Sequence, residues 1–451
     1  MKDLYLLSAT EISNLLKTQK ITVTDYFVSL VNRVKNKEHN ILAWEYFDEE
    51  LFMAKGHESD KSFLNRQNKC LAGIPIGIKD IFNTIDMPTE MGSSIWKGFT
   101  PGNNARVVDD IVYDGGISMG KTVTAEFAVH HPGKTRNPHN PNHMPGTSSS
   151  GSAAAVASGM VPIALGTQTA GSTTRPASYC GIYGFKPSFG IIPRTGILKT
   201  LDTLDHVTIF SRAISDTKLL LDTIRVKGKN HPFIYKNIDC KQHSVNDLST
   251  IKVAFVKTHV WSNAHDYMKD KILSFAKKIE SIDSVIVDEV ELHPVLKDTH
   301  YNHDLVYSKA LSYYFSDEYD NHYEKLSNSF KKMVEYGRTI SRESYQKALV
   351  HQNNSQKEMN HFFNDYDFIL SMSTVGEAPH LREFKEVSDA ALIWTYAHTP
   401  SINIPISFGP NKLPVSVQIV SKRYNDYKLL SFIKLLEDNL IIHFLQILHH
   451  Y

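Results

Sequence analysis

The sequence predicts an α/β fold, because stretches with the apolar pattern of strands alternate with stretches of helical periodicity. The alternation is clearest in the second half of the chain, where IKVAFV at 251–256 and SVIVDEVEL at 284–292 flank a helix expected over about 264–281. A chain of 451 residues is also long enough to bury a large core.

The first predicted elements are two helices and a strand. Ser8 followed by Glu11 is a capping-box pattern, which begins a helix that ends near Thr18. A second helix is expected over 22–36, and ILAWEYF at 41–47 has the composition of a strand.

The later elements follow the same reasoning. They are a turn and then a helix over 201–226, a surface excursion over 227–250, a helical region to about 362, strands at 367–374 and 413–420, and a last helix over 425–446. Trp394 and Tyr396 are expected in the core, with a pocket lining as the alternative.

The charge balance excludes partners that bind through charge of one sign. Lys and Arg number 49 and Asp and Glu number 48, so the formal net charge is +1. Nucleic acids and anionic membranes are bound through a basic excess, which this chain lacks. We therefore expect no nucleic-acid partner and no membrane partner.

Cysteine usage and the apolar pattern favour a cytoplasmic protein. Cys70, Cys180 and Cys240 are too few and too scattered for a disulfide framework. The first residues lack the apolar run of a signal peptide, and no uninterrupted apolar stretch reaches about 18 residues.

Two loops rich in serine, threonine and glycine lie close together in the sequence. GTSSSGS at 146–152 and GTQTAGS at 166–172 are separated by an alanine-rich helix and a short apolar strand. The small residues of the second loop leave backbone N–H groups accessible, as an oxyanion hole requires. The alternative is a pair of tight turns whose hydroxyls bond to their own backbone.

A lysine ends an apolar strand upstream of these loops. LAGIPIGIKD at 71–80 places Lys79 and Asp80 after alternating small and β-branched residues. A lysine among apolar neighbours loses hydration, so its pKa falls and a neutral amine becomes available near neutral pH. The alternative is a lysine that reaches solvent or pairs with Asp80.

Two further motif matches lie in a segment whose predicted order of helix and strand is the reverse of what they require. GGISMGKT at 115–122 matches the phosphate-loop pattern, and GISMG at 116–120 matches the nucleophile elbow. Both motifs require a strand, a loop and then a helix. Here VVDDIVYD at 107–114 is expected to be helical and ISMGKT to be a strand, so Lys121 is expected to be structural or to support the active site.

The segment VHHPGKTRNPHNPNHMP at 129–145 is expected to be an ordered loop. Its histidines do not form a compact zinc-binding pattern, and we therefore expect no metal site in it.

Together these motifs resemble the amidase signature family of serine-dependent C–N hydrolases. The resemblance rests on the two serine loops with CGIYGFKPSFG after them, on LAGIPIGIKD, and on GKTVTAEFA at 120–128 and KTRNPHNP at 134–141. It implies an α/β fold with one large mixed sheet flanked by helices. The implied arrangement is a single amidase domain over 1–451, with a signature core at about 71–200, a variable helical region at about 227–362, and C-terminal strands and a helix at about 367–446.

The resemblance also implies a catalytic triad. Ser172 corresponds to the nucleophile, Ser148 to the bridging serine with a cis Ser–Ser peptide bond, and Lys79 to the base. Lys79 would take the proton of Ser172 through Ser148 and return it to the leaving amine. The expected oxyanion hole consists of the backbone N–H groups of Thr169, Ala170, Gly171 and Ser172. Neither a metal ion nor a cofactor is expected.

The second serine loop departs from the common family pattern. Gln168 stands where the GTDTGGS form has Asp, and Arg175 directly precedes a proline, a variant that resembles the malonamidase-like branch. Arg175 either pairs with a substrate carboxylate or braces the loop. Arg175 and Gln168 are the candidate substrate-binding residues.

The favoured function is a stand-alone amidase that hydrolyses a small linear amide through an acyl-enzyme, as a monomer or homodimer. One alternative is the glutaminase (A) subunit of a tRNA-dependent amidotransferase. The near-neutral charge and the GKTVTAEFA form argue against it, because such subunits usually show a GKTNMDEFAMG-like stretch. The remote alternative is a P-loop nucleotide-binding protein.

Overall fold

A computed structural model describes residues 3–66, 68–227, 244–245, 248–383 and 389–442. Most of the surface excursion expected over 227–250, including Cys240, lies outside the described residues, as does the end of the last predicted helix. The two described cysteines, Cys70 and Cys180, are both free.

The described strands form one mixed sheet. They are β1 (Trp44–Tyr46), β2 (Pro75–Lys79), β3 (Ile117–Thr122), β4 (Ile163–Gln168), β5 (Tyr183–Lys186), β6 (His206–Ser211), β7 (Ile251–Phe255), β8 (Val285–Glu289), β9 (Phe368–Met372), β10 (Ser401–Phe408) and β11 (Pro414–Ser421). Their order in the 11-stranded sheet is β1-β3-β2-β4-β6-β5-β10-β11-β9-β7-β8. Strand β2 is parallel to β3 and β4, and β7 is parallel to β8 and β9, whereas the other pairs are antiparallel. The predicted α/β fold with one large mixed sheet is confirmed.

Helices flank this sheet. They are α1 (Ala9–Lys17), α2 (Val23–Ile41), α3 (Glu49–Arg66), α4 (Arg106–Tyr113), α5 (Ser150–Ala157), α6 (Thr174–Cys180), α7 (Ile214–Ile224), α8 (Asp266–Glu280), α9 (Thr299–Tyr314), α10 (Ser316–Asn321), α11 (Asn328–Thr339), α12 (Arg342–Phe362), α13 (Leu392–Tyr396) and α14 (Asp426–Asp438). None of the helices in the described ranges is long and apolar enough to cross a bilayer.

The first helix begins where its cap predicts. The Ser8 hydroxyl oxygen accepts from the Glu11 backbone N–H, and the Glu11 carboxylate accepts from the Ser8 backbone N–H. These two bonds complete the capping box. Helix α2 is longer than predicted and ends where Leu42 adopts a left-handed conformation, with φ of 54°.

The interpretation of 201–226 as a turn followed by a helix is incomplete. Strand β6 precedes helix α7 and pairs with β4 from end to end, from Ile163 opposite Ser211 to Gln168 opposite His206. A strand this short is stabilised by its neighbours in the sheet, so the local pattern alone is a weak signal.

The segment around GGISMGKT has the reversed order that the sequence predicts. Helix α4 is followed by Gly115, whose φ of +86° suits a glycine after a helix, and then by the fully buried strand β3. Lys121, on β3, forms an ion pair with Asp80 at 2.9 Å and donates to the Thr89 hydroxyl at 2.6 Å. The phosphate-loop interpretation is therefore wrong, and Lys121 is structural.

The centre of the molecule is built from small residues. All eight residues of α5 are buried, and this helix packs against β4 and α6. Trp394 and Tyr396, on α13, are fully buried in the core, as predicted. Alanine, serine and glycine allow the elements that carry the two serine loops to approach closely.

Candidate active site

The sheet brings the predicted catalytic residues to one edge. Lys79 is the last residue of β2, which is parallel to its neighbour β4, so both strands end at the same edge. Ser148 lies just before α5, and Ser172 lies in the turn between β4 and α6.

Lys79 is fully buried, and its neighbours are hydroxyl groups. Its Nζ donates to Ser148 Oγ at 2.9 Å, to Ser149 Oγ at 3.0 Å and to Thr167 Oγ1 at 2.8 Å. Burial lowers the pKa of Lys79 to about 7, against a smaller raising effect of the Asp205 carboxylate. The predicted neutral amine near neutral pH is consistent with these surroundings.

Two of the three hydroxyls hold Lys79 in place. Ser149 donates its proton to the Thr167 carbonyl at 3.1 Å, so towards Lys79 its oxygen can only accept. Thr167 lies on β4 and has its Oγ1 within 2.8 Å of Nζ. In the neutral form the amine donates its two N–H groups to these two oxygens and its lone pair accepts from Ser148, whereas the ammonium form donates to all three hydroxyls.

The cis peptide bond lies one residue earlier than expected. It joins Thr147 to Ser148, on the N-terminal side of Ser148, and not two serines. The expected cis Ser–Ser bond is therefore wrong in detail, because a threonine occupies the position before the bridging serine.

Ser172 is not hydrogen-bonded to the other two catalytic candidates. Its side chain is half-buried, and its hydroxyl has no hydrogen-bond partner among the residues that the structure describes. The structure thus joins Lys79 to Ser148 and leaves the Ser172 hydroxyl without a hydrogen bond to the other described residues. Hydrogen bonds in catalytic sites often tighten only when substrate is bound.

The predicted oxyanion loop has unused backbone donors. Across the described ranges, the backbone amides of residues 169–172 donate no hydrogen bond to protein. The loop also needs glycine at one position, because a Cβ on Gly171 would lie 2.1 Å from Asp389 Oδ1. Free, closely spaced N–H groups are what a developing oxyanion requires.

Arg175 contacts protein groups on both sides of the loop. It is 5% exposed, donates to Thr147 Oγ1 at 3.0 Å and forms a close ion pair with Asp389. These contacts correspond to the bracing role rather than to a free guanidinium awaiting a substrate carboxylate.

Gln168 lies within the second serine loop and bonds to other protein groups. It is fully buried; its Oε1 accepts from the backbone N–H groups of Thr173 and Thr174 at 2.8 and 3.0 Å, and its Nε2 donates to Thr395 Oγ1 at 2.9 Å. Because both ends of the amide are occupied, these contacts give Gln168 a structural role and argue against the predicted contact with substrate.

Sequence reasoning missed the residues that surround the predicted triad. Ser149 and Thr167 lie inside the two recognised loops, so their motif was a signal that could have identified them. Asp389, His303 and Thr395 are distant in sequence, and only the fold brings them to the second loop.

A cavity of about 350 Å³ adjoins the loop at Thr167 and Thr169 and is lined in part by Arg194, Lys199 and Asp205. Ser172 is not among its lining residues, so the cavity lies beside the second serine loop and not at the predicted nucleophile. Among the described residues there is no cluster of His, Cys, Asp or Glu side chains that could hold a metal ion.

The family model described as Amidase matches residues 24–430. The chain belongs to the amidase family. This confirms the resemblance inferred from the serine loops.

The relatives of this amidase include components of larger enzymes as well as other amidases. The chain is 27% identical to the A subunit of glutamyl-tRNA(Gln) amidotransferase from Halothermothrix orenii, over 97% of this chain and 98% of the relative. A solved peptide amidase from Stenotrophomonas maltophilia has a TM-score of 0.83 and 20% identity, covering 97% of each chain. A structure described as a vestigial protein complex that reveals the origins of an s-triazine catabolic enzyme has a TM-score of 0.87 and 22% identity, covering 97% of this chain and 100% of that one.

These comparisons support the family and the fold. The expected monomer or homodimer finds no support in them, since the relative named first is one component of an amidotransferase.

Proposed function

We propose that this amidase hydrolyses the C–N bond of a small linear amide through an acyl-enzyme on Ser172, with Ser148 as the bridging group and Lys79 as the base. The observation that carries this proposal is the buried Lys79 amine, held by three hydroxyls and with a pKa lowered to about 7. A base of this pKa can accept and return a proton near neutral pH.

In the first step, neutral Lys79 donates its two N–H groups to Ser149 and Thr167 and directs its lone pair to Ser148. Ser148 passes its proton to Lys79 and takes the proton of Ser172. The Ser172 oxygen then attacks the carbonyl carbon of the substrate, and the carbonyl oxygen becomes an oxyanion. The free amides of residues 169–172 stabilise that charge.

In the second step, the tetrahedral intermediate collapses and the C–N bond breaks. The Lys79 ammonium returns its proton through Ser148 to the departing nitrogen, which leaves as a neutral amine or ammonia. Water then attacks the acyl-enzyme with Lys79 again as base, which releases the acid and restores Ser172.

The side chains of Arg175 and Gln168 are both occupied by contacts with other protein groups. The guanidinium is paired with Asp389, and the glutamine amide is occupied within the loop, so we assign neither to a substrate group. We also assign the whole of 1–451 to one amidase domain, because all 11 described strands belong to a single sheet whose edge strands are β1 and β8.

A second candidate is the glutaminase subunit of a tRNA-dependent amidotransferase. It is favoured by the 27% identity to such a protein over 97% of this chain. Hydrolysis of glutamine only in the presence of partner subunits, together with co-purification of those partners, would favour this function over a stand-alone amidase.

The test is covalent labelling with a serine-directed fluorophosphonate probe, with the modified residue located by peptide mass spectrometry. We expect the label on Ser172, its loss in Ser172→Ala, and nearly complete loss in Lys79→Ala. Ser158→Ala is the matched control, because the Ser158 hydroxyl is buried and bonded to its own helix at Ala154. Full labelling of a folded Ser172→Ala variant would contradict the assignment of the nucleophile.

A further inference from the structure

We propose that His303 and Thr395 position the oxyanion hole, by holding two successive carbonyl groups of the nucleophile loop so that the following amides face the reacting carbonyl. The inference rests on the proposed function, since it assigns positioning residues to that same site. Neither residue belongs to the two serine loops.

The two contacts are made to adjacent peptide groups. His303 Nε2 lies 3.1 Å from the Thr169 carbonyl oxygen, and Thr395 Oγ1 donates to the Ala170 carbonyl oxygen at 2.8 Å. Because a carbonyl oxygen can only accept, the His303 nitrogen carries the hydrogen in the first contact.

Fixing a carbonyl also fixes the amide that shares its peptide plane. In a planar trans peptide, the C=O of one residue and the N–H of the next point in opposite directions. The His303 contact therefore orients the Ala170 N–H, and the Thr395 contact orients the Gly171 N–H. A third bond, from the Arg175 N–H to the Gly171 carbonyl at 3.0 Å, orients the Ser172 N–H in the same way.

His303 and Thr395 approach the loop from the same side. His303 lies on α9 and Thr395 on α13, and these two helices pack against each other. The carbonyls of Thr169 and Ala170 thus face this helix pair, and the amides that follow them face away from it. Those amides are among the ones that donate no hydrogen bond within the described ranges.

The surroundings of His303 and Thr395 keep each side chain as a hydrogen-bond donor to its carbonyl oxygen. His303 is 5% exposed, and burial lowers its pKa to about 4, so a neutral imidazole with its hydrogen on Nε2 is present at neutral pH. Thr395 is fully buried, and its oxygen accepts from Gln168 Nε2 at 2.9 Å. Its one proton has two carbonyl oxygens within reach, and that of Ala170 at 2.8 Å is closer than that of Ala391 in its own helix at 3.2 Å. Donors that are aligned before the reaction need no reorganisation in the transition state.

The test compares kcat with KM for variants that remove one donor each. For Thr395→Val and His303→Leu, we expect kcat on a chromogenic anilide to fall by about 10-fold while KM changes by less than about 3-fold, because the orienting bond acts on the transition-state oxyanion. Thr395→Ser and His303→Gln restore a donor and should recover most of kcat. A phosphonate inhibitor that mimics the oxyanion should bind more weakly in step with the loss of kcat/KM, whereas a substrate-like competitive inhibitor should not.

Thr399→Val is the matched control, because its hydroxyl is equally buried and donates to the Trp394 carbonyl at 3.1 Å, away from the loop. Unchanged kcat in Thr395→Val and His303→Leu, with Ser172 still required, would overturn this inference and leave the proposed function intact. Activity in wild type that persists in Ser172→Ala would instead overturn the proposed function. Circular dichroism and thermal melting identify any variant that fails to fold. If Thr395→Val or His303→Leu fails to fold, the kcat of Thr395→Ser or His303→Gln tests the inference in its place.

Discussion

Two fully buried lysines lie on neighbouring strands, and they differ in the groups that their amines contact. Lys79 ends β2 and contacts three hydroxyls, whereas Lys121 on β3 contacts the Asp80 carboxylate at 2.9 Å. Burial lowers the pKa of both, and for Lys121 the Asp80 charge opposes that effect. Neutral neighbours thus suit Lys79 to the base that we propose, whereas a carboxylate holds Lys121 in an ion pair.

The comparison also explains why Asp80 does not pair with Lys79. Successive residues of a strand point to opposite faces, and Asp80 directly follows Lys79 at the end of β2, so the two side chains reach different sites. Asp80 forms an ion pair with Lys121, and its other carboxylate oxygen accepts from the Glu90 backbone N–H at 3.0 Å. The sequence alternative of a Lys79–Asp80 salt bridge is therefore wrong.

The largest expected effect is the loss of the base. Lys79→Met keeps the length of the side chain and removes the amine, so we expect kcat to fall by at least about 10³-fold, as for other members of a nucleophile–base unit. Steady-state hydrolysis and fluorophosphonate labelling of Ser172 measure it. A variant that retains more than a tenth of wild-type activity would exclude Lys79 as the base.

The next effect is on stability instead of catalysis. Lys121→Met leaves the Asp80 carboxylate buried without its cation, and we expect the free energy of unfolding to fall by about 3–5 kcal/mol. Urea denaturation measures this loss. The double variant Lys121→Met with Asp80→Asn should recover part of it, whereas an additive loss would show that the two residues do not interact.

The pH profile separates a base from a buried lysine of similar pKa. We expect kcat/KM to fall as the pH drops below about 7, approaching tenfold per pH unit, because protonated Lys79 cannot accept the proton of Ser148. The control is Lys186→Met: burial also lowers the pKa of Lys186 to about 7, but its amine donates to the backbone carbonyl of Thr399. A midpoint that moves in Lys186→Met and not in variants around Lys79 would contradict the assignment.

The smallest expected effect concerns the hydroxyls that hold Lys79. Thr167→Val removes an acceptor that stabilises the ammonium form, so the pKa of Lys79 should fall further and the pH midpoint should move to lower pH. We expect kcat at its plateau to change by less than about 10-fold, since the variant removes a positioning contact and not a reacting group. Thr167→Ser is the matched control and should restore the midpoint.

The fold class, the family and the catalytic candidates could all be predicted from the sequence. They follow from local information: the capping box at Ser8, the reversed helix and strand order around Lys121, and the two serine loops with Lys79. Each depends on a few consecutive residues whose chemistry restricts the backbone, such as small residues in tight loops.

The groups that surround those candidates could be identified only in the folded molecule. The pairing of β6 with β4, the choice of Lys121 as the partner of Asp80, and the contacts of His303, Thr395 and Asp389 all join residues far apart in sequence. A pKa or a hydrogen bond depends on distance and burial in three dimensions, and residues that meet only after folding leave no pattern along the chain.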